Sequence, residues 1–155
     1  AKLVVKEGYL SLPLRHSAKS DEWVFPESVA SEPWQGKEIR RPHNKRQVLC
    51  DEATDEVFLD IVDDFGSYKD LQNKLVISSS AREKWSIHPH DPLSAKGETH
   101  WKEERSRGDW SIRTETFSSM TSDKSYFYLK ARVEAYEKSK LIFKKKMESK
   151  IKRVL

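Results

Sequence analysis

From Trp110 to Phe117 the chain alternates, with Trp110, Ile112, Thr114 and Thr116 on one parity and Ser111, Arg113, Glu115 and Phe117 on the other. A period of two marks a half-buried antiparallel strand, because successive side chains of extended backbone point to opposite faces; a helix would return an apolar residue every three or four positions. The pattern is cleanest between Tyr126 and Tyr136, where Phe127, Leu129, Ala131, Val133 and Ala135 alternate with Tyr126, Tyr128, Lys130, Arg132, Glu134 and Tyr136. Val57, Leu59 and Ile61 alternate with Phe58, Asp60 and Val62, and a turn around Asp51-Glu52-Ala53-Thr54 joins them to a strand over Arg46–Cys50 as a hairpin. Asp63-Asp64-Phe65-Gly66 carries turn residues and is expected to end that strand. Leu75–Ile77 and Glu83–Ile87 predict two further strands separated by Ser78-Ser79-Ser80, and another runs through Trp101 between turns at Asp91-Pro92 and Gly108-Asp109.

The ends are less regular. Leu3 to Leu14 reads as a strand leading into an extended segment, ended by Pro13. Residues 16–44 hold Pro26, Pro33 and Pro42 with Trp23, Phe25, Val29 and Trp34 but no steady period; proline at this density opposes both interior helix and central strand, so the segment is expected to be an irregular covering loop. After a turn at Lys138-Ser139 come Leu141, Ile142 and Phe143. The pattern then weakens towards Leu155, and the Lys, Met and Glu of that stretch would also suit a helix. About eight strands with turns between them predict an all-β chain, an antiparallel β-sandwich in a single domain over residues 1–155.

Composition narrows the choices. A chain of 155 residues is long enough to bury about 70% of its unfolded surface in one core, and five Trp, five Tyr and six Phe argue for a folded protein although charged residues reach 35%. The single Cys50 rules out an internal disulfide and leans towards a reducing, cytoplasmic compartment. No apolar run approaches the roughly 18 residues of a membrane span and no signal peptide is visible, so no membrane partner is expected. The chain opens at Ala1 directly on strand-like residues, which suggests a fragment of something longer. Its net charge of +4 is uneven: Lys138–Leu155 holds eight Lys or Arg against Glu148 alone, a local +7 that leaves −3 for the rest.

Several stretches resemble the C-terminal part of hydrolases related to cocaine esterase and X-Pro dipeptidyl-peptidase. They are Asp91-Pro92-Leu93-Ser94-Ala95, Trp101, Arg107-Gly108-Asp109-Trp110, Arg113-Thr114-Glu115-Thr116, Ala131, Glu134-Ala135-Tyr136-Glu137 and Ile142-Phe143, with Leu10–Arg15, Phe25-Pro26-Glu27 and Asp63–Gly66 upstream. The resemblance implies a jelly-roll sandwich of galactose-binding-like type, in which Asp91, Pro92, Trp101, Asp109, Trp110, Arg113, Glu115 and Tyr136 are structural. It also implies that the Ser-His-Asp machinery belongs to a preceding α/β-hydrolase domain, the expected partner. Two departures bear on docking at the C-terminus: Lys146-Met147 stands where that family usually carries a Trp, and the acidic residue after Arg153 is missing.

The residues themselves point away from catalysis. A nucleophile elbow needs Gly-x-Ser-x-Gly, since its strained turn accepts only small flanks, and Gly8, Gly36, Gly66, Gly97 and Gly108 are never so spaced. His88-Pro89-His90-Asp91 with nearby His100 offers imidazole and carboxylate but no fourth ligand at diagnostic spacing, so neither a metal nor a cofactor is expected. The face holding Tyr126, Tyr128, Lys130, Arg132 and Tyr136 mixes aromatics with charge. It suits cross-strand pairing of Arg113 and Glu115 with Glu134 or Lys130, a surface for another domain, or a carbohydrate platform that also uses Trp110. The Lys-rich tail is expected to protect a sheet edge, with nucleic-acid binding the less favoured reading because no aromatics are interleaved after Phe143.

Overall fold

Four aspartates set the turns that let the alternating segments pair. In each the carboxylate accepts the N–H two residues on: Asp51 from Ala53 (2.9 Å), Asp70 from Gln72 (2.7 Å), Asp91 from Leu93 (3.0 Å) and Asp123 from Ser125 (2.7 Å). Such local bonds favour a bend over continued extension. Asp55, Lys74, Gly108 and Lys138, at φ of 58°, 64°, 56° and 52°, supply the left-handed residues by which four of the connections reverse.

The computed structural model describes Gly8, Tyr9, Ser11, Leu12 and residues 24–154. The chain divides into Ala1–Pro33 and Trp34–Leu155. In the first unit the described residues have no regular secondary structure, and Phe25 and Val29 are exposed. The expected strand over Leu3–Leu14 and residues 16–23 of the expected covering loop lie largely outside the described residues.

The second unit is all-β: β1 (Gly36–Arg40), β2 (His43–Asp51), β3 (Glu56–Asp70), β4 (Val76–His88), β5 (Asp91–Arg107), β6 (Trp110–Ser122), β7 (Tyr126–Glu137) and β8 (Lys140–Lys152). All pairings are antiparallel and belong to one sheet of order β1-β3-β4-β5-β6-β7-β8, with β2 also on β3. The all-β antiparallel class read from the sequence holds, with all eight strands in a single sheet.

Four expectations change in detail. The segment 16–44 is not irregular throughout, since Gly36–Arg40 form β1 and His43 opens β2. Asp63–Gly66 does not end a strand: β3 runs on to Asp70 through a bulge, with the register shifting between Asp64 and Ser67 and Gly66 at φ 81°. Ser78–Ser80 likewise sit inside β4, opposite Glu104, Glu103 and Lys102 of β5. The basic tail is strand, not helix, because its residues pair one by one with β7.

The bulge explains why β3 has two neighbours on one side. β1 pairs with Ser67–Asp70 and β2 with Glu56–Asp64, so the two are successive halves of an interrupted edge strand. Between them Arg41-Pro42 crosses the bulge, and a Cβ on Gly66 would lie 2.6 Å from the Arg40 carbonyl oxygen and 2.9 Å from the Pro42 nitrogen. Arg40 forms an ion pair with Asp64, whose carboxylate also accepts the Gly66 N–H at 2.9 Å. These contacts hold the Asp64 carboxyl below its usual range, the Arg40 bond most of all.

Candidate functional site

Register and alternation sort the side chains of the sheet onto two faces. One row on the first face is Val48, Leu59, Trp85, Gly97, Met120 and Leu129; the next includes Ile61, Ala131 and Met147, and the one after it Ala81, Trp101 and Val133. Its first row is apolar, but Arg46, Asp63, Glu83, Glu103 and Lys145 also lie on this face, and among the described residues little covers the apolar row. Trp85, Met120 and Met147 remain 41%, 42% and 40% exposed, and Ala81 is the one buried hydrophobic side chain among the described residues.

A hollow of about 440 Å³ is lined by Val48, Leu59, Trp85, Ile87, Met120 and Phe127, and a neighbouring one of about 380 Å³ reaches Leu129 and Met147. Gly97 contributes by lacking a side chain, since a Cβ there would meet the Trp85 ring at 2.6 Å. The indole lies over the bare Gly97 backbone and donates its Nε1–H to Glu83 at 3.0 Å. Phe65, set out by the bulge, stacks on Trp101 with ring centroids 6.2 Å apart.

The opposite face is a lattice of charge. Glu115 and Glu134 are direct cross-strand partners, an arrangement that destabilises unless cations are interposed. Lys144 of β8 reaches Glu134 at 2.8 Å, the Tyr136 hydroxyl donates to it at 3.0 Å, and His100 Nε2 lies 2.9 Å from Glu115. Arg113 and Arg132 place Nε 2.8 and 3.3 Å from Glu115 and Glu134, but neither N–H is aligned to donate, so these are ion pairs without a directed hydrogen bond. Glu134 is buried at 7% exposure, and its carboxyl is held below the usual range, chiefly by the Lys144 bond and then by Tyr136 and Arg132.

Neither family model, curated protein nor solved structure matches the chain.

The aromatic residues singled out on this face do share it, but each is capped by a cation. Lys150 Nζ lies 3.9 Å from the Tyr126 ring centre and 5.5 Å from that of Tyr128, and Arg113 lies 4.1 Å above Tyr136. Phe117 is held between Arg132, at 4.1 Å, and the His100 ring, which stacks on it at 4.1 Å and 8°. The Tyr128 hydroxyl donates to Asp123 at 2.6 Å, which raises the Tyr128 pKa and lowers that of Asp123. Lys130 stands opposite Ser119 and Glu148.

The expected cross-strand pairs of Arg113 and Glu115 with Glu134 or Lys130 are replaced. Arg113 pairs within its own strand while stacking on Tyr136, and Glu134 is held by Lys144 of β8 together with Arg132 and Tyr136 of its own strand. Sequence reasoning missed Lys144 because the tail's register was not legible. It grouped His100 with His88 and His90, although the parity His100 shares with Glu98 and Lys102 already placed it on the charged face. Of the other motif residues, Asp91 and Pro92 open β5, Asp109 lies in the β5–β6 turn, and Trp101 and Trp110 are 40% and 43% exposed. Among the described residues no three His, Cys, Asp or Glu side chains gather as a metal ion would require.

Proposed function

We propose that this chain is a non-catalytic accessory domain of a serine hydrolase of the esterase or X-Pro peptidase type. It packs on the catalytic domain through the apolar row of its sheet. The observation that carries the docking half of this reading is the exposed apolar row around Trp85 and Met120. Water contact on so many apolar side chains costs roughly 25 cal/mol per Å², which a second layer would recover. The hydrolase half rests on the motif resemblance, from Asp91-Pro92 to Ile142-Phe143.

The carbohydrate reading has less support, since the tyrosine rings that would serve as platforms carry a cation on a face. The nucleic-acid reading has less support because no aromatic side chains are interleaved among the tail lysines after Phe143.

Ester and prolyl-amide substrates incubated with the isolated chain are expected to show no turnover; turnover abolished by changing one serine would overturn the accessory role. A hydrolase domain of this type, expressed separately, is expected to bind the chain, and Trp85→Glu with Met120→Glu should weaken binding at least about tenfold. Binding unaffected by both changes would place docking elsewhere.

A further inference from the structure

β8 ends the sheet order, and among the described residues β7 is its single strand partner. Arg153 N–H donates to the Ser125 carbonyl at 2.9 Å, and the register continues unshifted from Lys152 opposite Tyr126 back to Lys144 opposite Glu134. Residues of an antiparallel ladder alternate between pairs that exchange hydrogen bonds and pairs that do not. The odd-numbered residues here therefore bond to β7. Lys144, Lys146, Glu148, Lys150 and Lys152 aim their N–H and C=O groups outward.

The side chains of these same five residues lie on the charged face, while Met147 and Ile151 lie on the apolar one. The edge thus offers a backbone ladder, with four lysines and Glu148 on one side and Met147 and Ile151, beside Lys145 and Ser149, on the other. We propose that this edge receives an extended acidic segment of another protein, which adds as a further strand. Asp or Glu of the segment faces the lysines, and its alternate apolar residues continue the surface of Met147 and Ile151.

A second copy of the chain is the wrong occupant. β8 against β8 sets lysine against lysine, and β2 at the other end presents Lys45, in the row of Arg82 and Lys146, on the same face. Like charges directly opposite each other repel, and lysine on an edge is a known means of blocking self-pairing. Against an acidic strand the same lysines attract, so one feature rejects self and selects the partner. The surface is the sheet edge and not the row around Trp85 and Met120 on which the hydrolase reading rests, with Met147 bordering both.

Glu148 makes the idea testable, because it is the one acid in the outward row. Glu148→Pro removes an outward N–H, a change an edge strand tolerates, and it makes the strand more basic. A fluorescent peptide alternating Glu and Val is titrated against the full chain beside a Lys-Val peptide, a Glu-Val peptide N-methylated at alternate residues, and an oligonucleotide of equal charge. We expect the Glu-Val peptide to bind at least about tenfold more tightly than the Lys-Val peptide. Glu148→Pro and N-methylation should each cost about tenfold. The N-methylated peptide reads the same bond without altering the protein, should the proline variant fail to fold. No binding of the Glu-Val peptide, or binding that Glu148→Pro tightens and N-methylation leaves unchanged, overturns the proposal. An oligonucleotide bound as tightly as the peptide would instead assign the lysines to polyanion binding and overturn it too.

Discussion

At the scale of single residues, the informative position is Glu134. It sits beside Glu115, a like charge, and is tolerated because Lys144, Tyr136 and Arg132 converge on it. Its pKa is depressed in the folded chain. The stability this brings is fully present above the ordinary glutamate value of about 4.3 and disappears as pH falls through the lower folded value. Asp64 and Asp123 shift the same way. We therefore expect the melting temperature to fall below about pH 4.5, and Glu134→Gln to be less stable than wild type at pH 7 with a shallower acid limb. A melting series from pH 3 to pH 7 checks both; an unchanged acid limb would detach Glu134 from the effect. The shared face of Tyr126, Tyr128, Lys130, Arg132 and Tyr136 was legible in the sequence because parity alone decides it. Their partners were not, because Lys150 and Lys144 come from a strand whose register only pairing sets.

At the scale of elements, the bulge in β3 shows where local chemistry is ambiguous. Asp63-Asp64-Phe65-Gly66 holds residues that serve a turn or a bulge equally, as both need a left-handed glycine. What decides is whether neighbouring strands carry on past it. β1 and β4 do so here, and the chain between β1 and β2 passes over Gly66. Any Cβ at Gly66 meets backbone that cannot swing aside, at a φ that disfavours side chains. Gly66→Ala is expected to cost about 2 kcal/mol in urea denaturation. A loss within 0.5 kcal/mol would mean that the bulge relaxes freely. The serines of β4 were misread for a related reason. Ser79 looks like loop chemistry until Glu103 stands opposite it on β5, where the two side chains bond at 2.5 Å.

At the scale of the whole molecule, sequence and structure agree on the sheet and diverge on the core. Alternation implied a half-buried sheet, and the apolar half exists, yet Trp85 and Met120 remain over 40% exposed. The isolated chain is therefore expected to bind a hydrophobic dye such as ANS strongly, with Met120→Glu lowering the signal. Trp85→Ser should cost less than about 2 kcal/mol, against the 3–5 kcal/mol usual for removing a buried Trp. A larger loss in urea denaturation would mean that this face is covered in solution.

By itself, the sequence determined that the chain is antiparallel β, where most turns fall and which residues share a face. Those properties follow from a backbone period of two and from the local bonding of Asp and Gly. Only the tertiary structure decided that Asp63–Gly66 is a bulge, that the lysine tail is the sheet's last strand, and that Trp85 and Met120 on the apolar row stay over 40% exposed. Each of these depends on what lies opposite a residue in space, and neighbours distant along the chain leave no mark in the local pattern.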